Sequence, residues 1–311
     1  MIAFGPIPSR RLGKSLGINN LVTGKYCSYS CVYCQIGKTE VRSVLRQEFY
    51  KPGVLLREVE LHLNKLEKSH FPDFLTFVAN GEPTLDVNLG KEIDLLKKFG
   101  IPVAVITNAS LIFQQEVVTD LLKADWVSLK IDSCNKTSWQ KINRPAENID
   151  LNKILDGIKL FSTLYRGRLN TETMLVQEIN DSVSMLEQNA QFISSIEPET
   201  AYLSVPMRPP AERETNPVRE EKLNEAWQIY KNAGIHTELL AGFEGTDTGS
   251  TGNAYDDILN ITAVHPLRED TIGELLKKDN ADISVIEALI EERLIKEVKY
   301  DGKIYYVRSY N

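Results

Sequence analysis

Strand-like and helix-like stretches alternate through the first 240 residues, and nothing else in the chain limits its fold so strongly. Six short apolar runs stand out: "LGINNLV", "FLTFVAN", "PVAVITN", "WVSLKID", "RLNTETMLV" and "TAYLSV". Stretches of helical spacing separate or follow them, among them "NLGKEIDLLKKFG", "QQEVVTDLLKA", a run from about Asp150 to Leu164, "SVSMLEQNAQFISSI" and "REEKLNEAWQIYKNAG". The run "GVLLREVELHLNKLEKS" is amphipathic, with Val54, Leu55, Val59, Leu61, Leu63 and Leu66 mostly on one side. Strands alternating with helices imply parallel pairing, because parallel neighbours need long crossovers and the helices then cover the sheet. Six such units are too few for a closed eight-stranded barrel. The expected fold is α/β, a partial (β/α)6 TIM-like barrel over residues 1–240, with its chemistry at the carboxyl ends of the strands.

Beyond Leu240 the alternation stops. "AGFEGTDTGSTGNAYDD" has no apolar period, so residues 241–262 read as a linker or a lid. Residues 263–311 read as a small winged-helix-like unit: two short helices, "LREDTIGELLKK" and "DISVIEALIEERLI", then the hairpin "KEVKYDGKIYYVRS" turning at Asp301-Gly302. Such a unit suggests DNA binding, but its charges oppose it. It carries eight Lys or Arg against ten Asp or Glu, with Glu287, Glu291 and Glu292 on the second helix. That face would repel phosphates, which leaves a docking or protein-recognition role as the expectation.

Composition excludes several classes. The chain has 311 residues, 42% hydrophobic and 25% charged, as ordinary globular proteins do. No apolar run approaches a membrane span, and the start lacks the apolar core of a signal peptide. The net charge of −7 gives no general attraction to nucleic acid. Residues 1–50 are the exception, with Arg10, Arg11, Lys14, Lys25, Lys38, Arg42 and Arg46 against Glu40 and Glu48; they could greet an anion or simply be solvated. The four cysteines argue against a disulfide scaffold and for a reducing, cytoplasmic setting.

Three of those cysteines, Cys27, Cys31 and Cys34, fall within eight residues of "KYCSYSCVYCQIGKTE". Closed zinc sites and ferredoxin-type clusters take four ligands. The histidines lie far off in sequence, and only Cys134 remains as a thiol. Three thiolates on a four-iron cluster would leave one iron open for a small molecule.

Cys27-x3-Cys31-x2-Cys34, with Tyr33 before the last cysteine, resembles the signature of radical S-adenosylmethionine (SAM) enzymes. "NGEPT", Asn80 to Thr84, resembles that superfamily's Gly-Gly-Glu motif, with Asn80 in place of the first glycine. The resemblance implies a [4Fe–4S] cluster on Cys27, Cys31 and Cys34, and SAM chelating the fourth iron. It also implies that Gly81 and Glu82 meet the amine of SAM and that Tyr33 packs by its adenine. Asn108, Asp132 and Glu172 become candidates for its ribose or methionyl part, and Arg208 for a carboxylate of SAM or substrate. An electron donor such as flavodoxin or ferredoxin would be a partner. "FGPIPSRRLGKSLGINN" and "INRP" are similar to an uncharacterised branch grouped loosely with the wybutosine-synthesising tRNA enzymes.

Alternation along "WVSLKID" points Lys130 into the barrel. Desolvation there would lower its pKa and favour Schiff-base chemistry; an ion pair with Glu172 is the alternative. Cys134, two residues past that strand, is expected at the mouth of the site, as a hydrogen-atom donor or methyl acceptor, or else simply buried. The leading expectation is a radical SAM enzyme acting on a small molecule or peptide. The alternatives are a tRNA-modifying enzyme of the same class, and an iron–sulfur or zinc regulator that binds DNA.

Overall fold

The computed structural model describes residues 2–22, 24–242 and 245–309; residues 243 and 244 of the expected linker lie outside them. In chain order the strands are β1 (Ala3–Ser9), β2 (Gly13–Ile18), β3 (Tyr26–Cys27), β4 (Val41–Arg42), β5 (Phe74–Phe77), β6 (Val103–Thr107), β7 (Trp126–Lys130), β8 (Arg168–Met174), β9 (Thr200–Ser204), β10 (Thr237–Leu240), β11 (Leu267–Arg268), β12 (Ile295–Tyr300) and β13 (Lys303–Arg308). The α-helices are α1 (Pro52–Leu63), α2 (Leu89–Leu96), α3 (Gln115–Leu121), α4 (Lys136–Asn143), α5 (Leu151–Leu164), α6 (Val183–Ser194), α7 (Glu220–Asn232), α8 (Ala254–Thr262), α9 (Glu269–Lys278) and α10 (Ser284–Glu291).

The main sheet runs β1-β2-β5-β6-β7-β8-β9-β10. From β2 onward every neighbour is parallel, and β1 returns antiparallel along β2. All six expected strands are present, in an open half-barrel. Two edge strands extend it beyond expectation. "AFGPIPS" escapes a strand reading because Gly5, Pro6 and Pro8 interrupt its alternation. "TELL" is short, and two of its four residues are exposed.

Alternation assigns the two faces. Leu75, Phe77, Val103, Val105, Val127, Leu129, Ala201 and Leu203 turn toward the helices and form the main core with Leu55, Ile93, Val118, Ile158 and Tyr230. In α1 the buried stripe is Leu55, Val59 and Leu63, whereas Val54 and Leu61 face solvent, so the apolar face is narrower than expected. The concave face carries Trp126, Ser128 and Lys130 from β7. Trp126 joins Leu12, Ala104, Tyr202 and Leu240 in a small plug at one end of the barrel, leaving the other end polar.

The terminal unit has its own core, in which Ile258, Ile261, Ile272, Leu275, Ile286, Leu289 and Ile295 meet Phe4 of β1. Its sheet runs β11-β13-β12, with Tyr300 opposite Lys303 across the Asp301-Gly302 turn. Both turn residues have positive φ, 47° and 67°, the geometry a two-residue hairpin loop needs. The unit begins earlier than expected, since residues 254–262 form α8 instead of continuing the linker. Ala254, Ile258 and Ile261 are spaced to share one buried stripe, and the preceding Gly/Ser/Thr run hides that short period. Among the described residues no helix is long and apolar enough to cross a membrane.

Candidate active site

The cysteine loop leaves β2 and lies against the carboxyl ends of the strands. Ser30 N donates to Asn143 O (3.0 Å) and Val32 N to Ile142 O (2.9 Å), so the loop satisfies the last carbonyls of α4. Asn143 itself reaches inward, donating from Nδ2 to Cys31 Sγ (3.4 Å) and to Asp132 Oδ2 (2.6 Å). Asn108 Nδ2 reaches Ser28 Oγ (3.0 Å) and Cys27 Sγ (3.5 Å).

Lys25 organises the thiols. It is 2% exposed, and its Nζ donates to Gly37 O at 2.5 Å. Burial disfavours its charge, but Cys34 and Cys27 outweigh that and hold it protonated. Burial pushes Cys27 up to about 12 and Cys31 to about 11. At Cys34 burial acts in the same direction, yet the charge and hydrogen bond of Lys25 win and lower it. Among the described residues no three His, Cys, Asp or Glu side chains draw close enough to hold one bare ion. Three soft thiols with a buried ammonium and two amide donors beside them nonetheless form a donor set suited to an iron–sulfur cluster.

The "NGEPT" turn docks on this loop. Glu82 N donates to Tyr26 O (3.0 Å), and a Cβ on Gly81 would sit 1.6 Å from that same oxygen, so glycine is required there. Asn80 keeps an ordinary backbone angle, and its Nδ2 donates to Gly24 O (2.7 Å) and Val22 O (3.3 Å). It therefore ties down the segment leading into the cysteines, work that a glycine could not do. Glu82 Oε1 accepts from Thr107 Oγ1 (2.6 Å) and from Thr84 Oγ1 (2.7 Å) and N (3.1 Å), while Oε2 accepts from Asn108 N (2.7 Å). The carboxylate thus joins the ends of β5 and β6 and orients Asn108. Burial raises its pKa despite these donors.

Two further carboxylates are engaged by the chain itself. Asp132 accepts from Tyr33 OH, Asn143 Nδ2 and Met174 N (2.9 Å), with burial raising its pKa. Tyr33 lies with its ring centroid 5.0 Å from Lys130 Nζ. Glu172 accepts from Lys130 Nζ (3.0 Å), Ser204 Oγ (3.1 Å) and Arg11 Nη1. Burial would raise its pKa, but Lys130 and Arg11 bring it down to about 2.

The expected lowering at Lys130 is reversed. Burial does disfavour its charge, but Glu172 and Asp132 together raise its pKa. Lys130 therefore points inward as the alternation predicts, but as a paired ammonium. Cys134 is not at the mouth. It packs against the main core, its N donates to Asn189 Oδ1 of α6 (2.6 Å), and burial pushes its thiol up to about 12. Arg208 lies at the junction with the terminal unit, where Nη1 donates to Gln35 Oε1 (3.0 Å).

Sequence reasoning missed Lys25, Asn143, Gln35 and Arg11 as parts of this arrangement. Lys25 carried a signal as a lysine two residues before the first cysteine, and Arg11 and Asn143 fall within "FGPIPSRRLGKSLGINN" and "INRP". Gln35 enters only through the fold.

The family model of the Radical SAM superfamily matches residues 21–188, more than half of the chain. The UPF0026 protein of Methanocaldococcus jannaschii is 43% identical over 310 residues, spanning 99% of this chain and 96% of its own. A UPF0026 protein of Helicobacter pylori is 36% identical over 210 residues, 67% of each chain. A radical SAM methyltransferase from Sphaerobacter thermophilus shares the fold, with a TM-score of 0.55 at 14% identity over 72% of this chain and 65% of that one. The protein is thus an enzyme, and it belongs to the radical SAM superfamily, whose members work with SAM and an iron–sulfur cluster.

Proposed function

We propose that the protein cleaves SAM reductively and directs the radical at a small-molecule or peptide substrate, with its electron from a donor such as flavodoxin or ferredoxin. The observation that carries this reading is the set of three thiols around Lys25, with the fourth thiol, Cys134, partly buried against the main core. When bound, a [4Fe–4S] cluster would supply the one electron needed to cleave SAM into methionine and a 5′-deoxyadenosyl radical.

The chain's own residues would do the rest. Cys27, Cys31 and Cys34 would hold the irons, and Lys25 would offset the negative charge of the thiolates. Asn108 and Asn143 present amide donors to two of the sulfurs. Gly81 and Glu82 fix the turn that would meet the amine of SAM, and Asn108 and Asp132, at the ends of β6 and β7, with Tyr33 of the cysteine loop, would line the place of its adenosine. Lys130, paired with Glu172, would contribute a fixed charge and hydrogen-bond donors to the barrel interior instead of a nucleophilic amine. Arg208 would hold a carboxylate from the side of the terminal unit.

Anaerobic reconstitution with iron and sulfide, followed by assay for 5′-deoxyadenosine under a strong reductant, tests the reading. Product should form in the wild type and not in Cys31→Ala. A cluster-loaded wild type that reduces but never cleaves SAM would count against it.

A further inference from the structure

The segment "INRP", Ile142 to Pro145, closes helix α4 directly against the cysteine loop. Arg144 ends the helix in the left-handed region, with φ 45°. The carbonyls left over at this end accept from the loop: Ile142 O from Val32 N (2.9 Å) and Asn143 O from Ser30 N (3.0 Å). Pro145 then bridges to Tyr29, and Ala146 N donates to Ser28 O (2.8 Å). One short stretch of chain therefore fixes the backbone on both sides of Cys31.

The same stretch sends one side chain into the site. Asn143 is 3% exposed, and its amide nitrogen donates to Asp132 Oδ2 (2.6 Å) and to Cys31 Sγ (3.4 Å). An amide nitrogen carries two hydrogens, so each acceptor has one; a contact to Tyr33 OH is longer, at 3.5 Å. Asp132 also accepts from Tyr33 OH and from Met174 N (2.9 Å). Its three partners are all donors, the pattern of an ionised carboxylate. That carboxylate is buried, and its charge acts on Cys31 through an interior where like charges repel more strongly than in water. Asn143 stands between two negative groups and bonds to both.

We propose that Asn143 is a positioning residue for electron transfer, raising the reduction potential of the cluster by bonding to the Cys31 sulfur and shielding it from Asp132. The cluster itself rests on the proposed function above. Electron uptake adds negative charge at the cysteine sulfurs, and hydrogen bonds to those sulfurs stabilise it. Without the amide, the carboxylate faces the sulfur directly and uptake becomes harder. Asn108 gives a similar bond to Cys27 Sγ at 3.5 Å, but its amide nitrogen shares that bond with the neutral hydroxyl of Ser28. Shielding from a carboxylate is the work of Asn143.

The test is a redox titration of the full-length, anaerobically reconstituted protein without SAM, followed by electron paramagnetic resonance. Asn143→Leu nearly keeps the side-chain volume and removes both donors. At a fixed potential its ratio of reduced to oxidised cluster should fall about threefold to tenfold, a shift of about 30–60 mV. Asp132→Asn should move the ratio the other way. In the Asp132→Asn background, Asn143→Leu should shift the potential about half as much or less, because no carboxylate remains to be shielded. A purely structural Asn143 would lower iron content and leave the potential of the loaded fraction unchanged; that result, or an equal shift with and without the Asp132 carboxylate, would overturn the assignment. Should Asn143→Leu take up no iron, Asp132→Asn alone decides, and a potential no higher than that of the wild type would refute shielding. A wild type that takes up no cluster would refute the reading of the three thiols, and this assignment with it, so the two failures are told apart.

Discussion

Glu172 is the hub of the charge network inside the barrel, and removing it should cost more than removing either cation bound to it. Its carboxylate bridges Lys130 and Arg11 with a side chain 10% exposed. It is held at about 2 against an ordinary 4.5, a displacement worth about 3 kcal/mol. Glu172→Gln leaves two cations facing each other in the interior, and the loss should be about 3 kcal/mol or more. Lys130→Met leaves Glu172 bonded to Arg11 and should cost only about 1–2 kcal/mol. Urea unfolding of the reconstituted proteins at pH 7 reads the difference. The pH dependence has a definite sign. Because the folded pKa is depressed, the contribution is fully present above about 4.5 and is lost as pH falls through about 2. The gap between wild type and Glu172→Gln should therefore be flat from pH 8 to 5 and close only in strong acid. Equal costs for the two variants, or a gap already gone at pH 5, would refute the hub.

Gly81→Ala should displace the "NGEPT" turn from Tyr26, because the new Cβ would fall 1.6 Å from its carbonyl oxygen. A destabilisation of about 1–3 kcal/mol and reduced iron content after reconstitution are expected. Lys25→Met should lower the reduction potential of the reconstituted cluster, since it removes a buried cation whose charge acts on all three cysteines; a redox titration followed by electron paramagnetic resonance checks the direction. Gln35→Ala cuts the amide that donates to Val264 O (2.8 Å) and accepts from Arg208. Limited proteolysis in the 241–253 segment should then speed up, with a stability loss of about 1 kcal/mol. Lys130→Ala should abolish the final product while leaving 5′-deoxyadenosine formation intact; unchanged product would remove the residue from substrate handling.

The sheet was legible because each central strand is an apolar run bounded by turn residues and followed by a helix. Its edges were not, since "AFGPIPS" and "TELL" lack alternation and depend on neighbours for pairing. Helix α8 was hidden for a related reason: its buried apolar stripe, Ala254, Ile258 and Ile261, spans only about two turns and directly follows a glycine-rich stretch. At the site, the two sequence motifs meet. The cysteine spacing and "NGEPT" lie on adjacent loops that touch through Tyr26 and Glu82. Long-range pairings were harder to foresee. Asp132, Glu172 and Asn108 were expected as ligand contacts, yet their partners Asn143, Arg11 and Cys27 lie 11, 161 and 81 residues away. For Lys130, desolvation was foreseen correctly, and a second cation sharing its carboxylate was not. Cys134 follows strand β7 closely enough to suggest the mouth, but the chain turns it back toward α6.

Electron paramagnetic resonance of the anaerobically reconstituted, reduced protein, before and after adding SAM, tests the central claim most directly. One cubane held by Cys27, Cys31 and Cys34 should give a spectrum that shifts when SAM binds, and Cys134→Ser should leave both spectra unchanged. A spectrum indifferent to SAM, or a cluster lost along with Cys134, would mean that side chains occupy every iron and that no corner is kept for the ligand.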